Sequence, residues 1–204
     1  MYLRSVGAAG SSGATRAYDL PVAAPSWTDI PIPDETADLR DGPELHPSLL
    51  PLLPLIGTWR GTGRGGYPTI EDFDYGQQVT FAHDGRPVLR YESRAWILDA
   101  DGAVLRPSAR ETGWWRPGAG PDELEMLLAH PTGIVEVYVG RAVTTTQWEL
   151  STDVVARTTT AKEVTANHRL YGIVDGALLY AMDMAAMGLP LQPHLSARLE
   201  RVGG

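Results

Sequence analysis

Gly133-Ile-Val-Glu-Val-Tyr-Val139 and, after a short polar stretch, Trp148-Glu-Leu-Ser-Thr-Asp-Val-Val155 decide the fold class. Both are rich in β-branched and aromatic residues, and both show the partial alternation of strands with one face buried. Upstream, Gln78-Val-Thr-Phe81 and Val88-Leu-Arg-Tyr-Glu-Ser-Arg-Ala-Trp-Ile97 repeat the pattern. Turn chemistry separates such runs: Asp84-Gly85, Asp99-Ala-Asp-Gly102, Pro117-Gly-Ala-Gly-Pro121, Pro131-Thr-Gly133 and Asp175-Gly176. No long amphipathic helix interrupts them. The reading is an all-β domain of about ten short strands at hairpin spacing, which predicts antiparallel neighbours. An up-and-down barrel of the fatty-acid-binding-protein or lipocalin kind removes exposed edges, and a two-sheet sandwich is its structural rival.

Ahead of these strands, His46-Pro-Ser-Leu-Leu-Pro-Leu-Leu-Pro-Leu-Ile-Gly57 is apolar but broken by prolines, so it predicts a short capping helical turn. Residues 1–45 differ in composition: Gly, Ala, Ser, Pro and Asp dominate, with 7 acidic and 3 basic residues. This segment is read as an acidic, low-complexity tail, in which Tyr18 to Val22 and Trp27 are the pieces able to pack on the domain or on a neighbouring subunit. The barrel domain is assigned to residues 46–204.

Composition excludes several functions. The 204 residues contain no cysteine, which removes thiol catalysis, Cys-ligated zinc and iron–sulfur clusters. A net charge of −8 without a basic run argues against nucleic acid as a partner. No window approaches the roughly 18 apolar residues of a membrane span, and no signal core follows the N-terminus, so a cytoplasmic protein is expected.

Chemistry has few footholds. Gly57-Thr-Trp-Arg-Gly-Thr-Gly63 is too poor in helix-start and Lys signals to be a phosphate loop, and its glycines suit a sharply bent strand beside Trp59. Neither a nucleophile elbow nor a carboxylate pair is recognisable, which ranks hydrolases low. His46, His83, His130 and His168 are scattered and read as surface or turn residues, while Met182, Met184 and Met187 read as core filler. His194 stands apart, because a Gly/Pro-shaped bend delivers it to the mouth of the last strand. Simple alternation with Leu195, Ala197 and Leu199 would turn it outward, so a ligand role requires a bulge near Pro193 or a ligand docked at the rim.

Taken together, Gly57-Thr-Trp-Arg-Gly-Thr-Gly63, Tyr67-Pro-Thr-Ile70, Phe81-Ala-His-Asp-Gly-Arg-Pro87 and Pro190-Leu-Gln-Pro-His-Leu195 resemble the nitrobindin family over roughly residues 45–202. The resemblance implies a ten-stranded antiparallel barrel holding one ferric haem b per chain at an open end, with His194 as the metal ligand and catalytic residue. It further implies binding of nitric oxide and isomerisation of peroxynitrite to nitrate. Thr69 and Arg169 match positions near the haem, and Arg169 or Lys162 is expected to pair with a haem propionate. The tail falls outside the family pattern and could cover the open end or mediate a homodimer. The competing function is a carrier of a small hydrophobic ligand such as a fatty acid, in which His194 is merely a rim residue.

Overall fold

A computed structural model describes residues 34–204. The strands are β1 (Gly57–Tyr67), β2 (Ile70–Ala82), β3 (Leu89–Leu98), β4 (Val104–Pro117), β5 (Glu123–His130), β6 (Ile134–Thr144), β7 (Gln147–Arg157), β8 (Val164–Val174), β9 (Ala177–Ala186) and β10 (Gln192–Gly203). Each pairs antiparallel with its sequence neighbours, and β10 closes on β1, so all ten form one barrel. Closure decides against the sandwich. The turns fall where Asp-Gly and Pro-Gly chemistry placed them: at Asp175-Gly176 both residues adopt positive φ (51° and 77°), the geometry a two-residue hairpin needs.

One end is plugged. Pro47–Leu55 forms a 3-10 helix, and Leu49, Leu52 and Leu55 recur every third residue, so one face carries all three into the barrel. Pro51 and Pro54 cost little there, because a 3-10 segment this short needs few backbone donors. The plug is stitched by two indole N–H groups: Trp59 donates to the Leu55 carbonyl at 2.8 Å and Trp148 to the Pro51 carbonyl at 3.0 Å. Above it Phe81, Trp115, Tyr171 and Tyr180 stack edge-to-face or face-to-face and fill the lower barrel.

Residues 34–45, grouped with the tail on composition, are tied to the barrel. Thr36 and His83 exchange two backbone hydrogen bonds of 2.8 Å, and Glu35 pairs with Arg90. Tyr18 to Val22 and Trp27 lie outside the described residues. His83 differs from its expected surface role: it is buried with both ring nitrogens unpartnered. No helix among the described residues is long and apolar enough to cross a membrane.

Candidate functional site

The other end gathers the β1–β2, β3–β4, β5–β6, β7–β8 and β9–β10 turns, and His194 lies there. Its orientation depends on a register fault. Pro193 pairs with Asp183 but Leu195 pairs with Met182, so His194 is the extra residue of a β-bulge. The bulge lets His194 and Leu195, adjacent in sequence, both be partly buried. A second fault faces it, between Gly65 and Tyr67 on β1, and exposes the Gly66 carbonyl. His194 Nδ1 lies 2.9 Å from that oxygen. Because a carbonyl only accepts, Nδ1 carries the proton and Nε2 keeps its lone pair.

Burial pushes the His194 pKa down, the Gly66 bond raises it, and the positive charge of Arg169 lowers it further, for a net downward shift. The imidazole is therefore neutral at pH 7. Tyr67 braces it edge-on, with ring centroids 5.6 Å apart, and is itself pinned by the Ala186 N–H at 2.9 Å. Next to it, Gly65 leaves room for the Phe73 ring and Leu195, with which a Cβ would collide.

Arg169 is held by the chain's own groups. It lies inside the barrel, 2% exposed, with Nη1 and Nη2 donating to the two Glu111 oxygens at 3.0 and 2.6 Å. Nε donates to the Tyr138 hydroxyl at 2.9 Å, and Nη1 also reaches Tyr171. Four of the five guanidinium N–H donors are thus committed inside the barrel, which leaves one Nη2–H for any further partner. Burial alone would raise the Glu111 pKa, but the charge and hydrogen bonds of Arg169 hold it down at about 2. Glu136 extends the network, accepting from Tyr138 at 2.9 Å and from Asn167, with His130 Nε2 3.0 Å away. A fatty-acid carboxylate would have to displace Glu111 to pair with Arg169.

Thr69 is exposed in the β1–β2 turn and Lys162 is exposed in the β7–β8 turn. Both belong to the His194 end, and neither contacts His194. Met182 is core filler as expected and Met184 packs beneath the rim, but Met187 is 50% exposed in the last turn at positive φ. The Glu111–Arg169–Glu136 network was not anticipated. Its only sequence signal is a charged residue on one face of an otherwise apolar strand, and the partners are 58 and 33 positions apart.

A neutral imidazole held by a backbone carbonyl through Nδ1, with Nε2 unpartnered, is the donor arrangement of an axial haem ligand. Residues 48–201 match the family profile of the THAP4-like, heme-binding beta-barrel domain. The chain belongs to this haem-binding family. Among its relatives, a peroxynitrite isomerase of Salinispora arenicola is 59% identical over 189 residues, covering 88% of this chain and 96% of that protein. A ferric nitrobindin-like protein of Nocardia farcinica is 46% identical over 200 residues, covering 97% of this chain and 83% of that one. The crystal structure of Rv2717c from M. tuberculosis superposes with a TM-score of 0.69 at 44% identity, covering 78% of this chain and 99% of that chain. The nitrobindin resemblance read from four short motifs thus extends through the barrel.

Proposed function

We propose that the protein holds one ferric haem b per chain on His194 and isomerises peroxynitrite to nitrate, with nitric oxide as a further ligand. The observation that carries this reading is the bulged His194 with its Nδ1 fixed on the Gly66 carbonyl. The names of the relatives supply the substrate class.

When bound, the haem would be held by His194 and would supply a Lewis-acidic iron for the isomerisation of peroxynitrite. The chain does the positioning. Gly66 selects the tautomer that leaves Nε2 free, Tyr67 restricts ring rotation, and burial keeps the imidazole neutral so that iron does not compete with a proton. Beneath the mouth, Glu111, Arg169 and Glu136 are tied to one another and to Tyr138, Asn167 and His130 in one hydrogen-bonded network. Lys162 and Thr69 are assigned to the rim of the haem site, Lys162 as a cation for a propionate. A homodimer and a cytoplasmic setting belong to the same reading; sedimentation and cell fractionation test them.

Reconstitution with ferric haem tests the function. The wild type should titrate to one equivalent with an axial-histidine spectrum and convert peroxynitrite to nitrate in stopped-flow mixing. His194→Ala should lose both. Identical spectra and affinities in the two proteins would overturn the assignment.

A further inference from the structure

Two strands carry an extra residue on their way to the mouth, and each bulge reverses the facing of the residues beyond it. On β4, Arg94 pairs with Arg110 but Trp96 pairs with Pro107, so one residue is inserted and Arg106 comes to pair with Ile97. Ile97 packs against the core, and directly paired residues project to the same side of a sheet. Arg106 therefore stands on the inner face. On β7, Val137 pairs with Val154 but Tyr138 with Thr152, so Asp153 is inserted and Arg157 pairs with the buried Ile134. It too stands on the inner face. Without those bulges, plain alternation from Glu111 and from Leu150 would aim both arginines outward.

Their charges are uncommitted. Elsewhere on the described barrel, arginines are paired with carboxylates, as Arg64 is with Asp74 and Arg116 with Glu125, while Arg60 meets Gln78 and Arg201 meets backbone carbonyls. Arg106, Arg157 and Lys162 have no side-chain partner among the described residues, and all three lie at the His194 end. Arg106 makes only a 3.4 Å contact with its neighbour's carbonyl. Acidic groups share this end, but Asp99 is turned onto the N–H groups of Asp101 and Ala103 in its own turn. Around the closed ring, His194 on β10, Arg157 on β7 and Arg106 on β4 are separated by three, three and four strands.

We propose that Arg106 and Arg157 are the main grips on the two carboxylates of the porphyrin, with exposed Lys162 as an auxiliary cation on the same rim. The proposal rests on the haem reading and adds the groups that orient the macrocycle. The two carboxylates of a b-type haem leave from one edge, and β4 and β7 flank the β5–β6 side of the mouth, across the ring from β10. Guanidinium forks suit carboxylates, and both arginines are solvent-exposed at the inner side of the rim with no internal partner to give up.

The test is the rate at which the reconstituted protein releases haem to excess apomyoglobin, run with ferric haem and with its dimethyl ester, in which the carboxylates are capped. Arg106→Gln/Arg157→Gln should release haem about tenfold faster than wild type, each single variant a few-fold faster. The ester should leave wild type and double variant equally fast, and added salt should bring wild type toward the double variant. Unchanged melting temperatures in the apo forms check that the substitutions leave the fold intact. Equal haem release from wild type and double variant, or an ester retained as well as the acid, overturns the proposal while the His194 spectrum stands. A wild type that takes up no haem overturns both readings. If the arginines instead steer the small anionic oxidant, the double variant slows the bimolecular reaction at low salt without changing haem release, which also overturns the proposal.

Discussion

The two ends of the barrel are built from the same ten strands and spend their polar groups in opposite ways. At the plugged end, Trp59 and Trp148 donate to carbonyls of the 3-10 segment, Leu49, Leu52 and Leu55 are fully buried, and each indole bond is closed within the chain. At the mouth, His194 Nε2, Arg106, Arg157 and Lys162 carry donor or acceptor capacity that no described side chain uses. Stability is concentrated below and recognition above, with the Glu111–Arg169 pair as the partition between them.

That contrast can be broken from each side. A large effect is expected at the partition: Glu111→Gln takes the bidentate partner from a buried guanidinium, leaving only Glu136 3.8 Å away, and should cost about 3 kcal/mol in urea unfolding. Removing both charges in Glu111→Gln/Arg169→Met should cost less than the single change, because the buried guanidinium is gone and Glu136 keeps its hydrogen bonds from Tyr138 and Asn167 and its contact with His130. At the plug, Leu52→Ala should lose about 3 kcal/mol through the cavity it leaves, with the haem spectrum of the folded fraction unaltered. A spectral change there would deny that the ends are separable.

Effects at the mouth should be smaller in stability and larger in ligand binding. His194→Ala should leave the apo melting temperature within a few degrees but weaken ferric haem by more than about a hundredfold, beyond what loss of a supporting contact to a ligand costs. Acid sharpens the distinction. Glu111, held at about 2 when folded against an ordinary 4.5, contributes stability that is present above pH 4.5 and lost as the pH falls toward 2. His194 is also lowered from 6.5, so iron ligation should persist below pH 6.5 before a proton displaces it, and spectra should change before the barrel unfolds. Lys162→Gln is expected to have the smallest effect, a haem release less than about threefold faster, since exposed ion pairs contribute little.

The fold was legible because Asp-Gly and Pro-Gly turns punctuate strands whose spacing left few architectures. The site was legible only in part. His194 could be singled out from its Gly/Pro surroundings, and the need for a bulge could be stated, but its placement depends on β10 meeting both β9 and β1. Facing was the harder problem. Val135 and Val139 are about half exposed, while Ile134, Glu136 and Tyr138 point inward, so apolar content alone would invert β6. Arg106 and Arg157 escaped notice because insertions in pairing, which single strands do not reveal, turn them around. The ion pair of Arg169 was not legible because its partner is 58 residues away on a strand not adjacent to its own.

The plug has a consequence for the life of the protein. Since its lower half closes entirely with the chain's own side chains and backbone, the chain can finish folding before any prosthetic group arrives. Loading then becomes a reversible docking step, and the ratio of loaded to empty molecules would report how much free haem the surroundings offer.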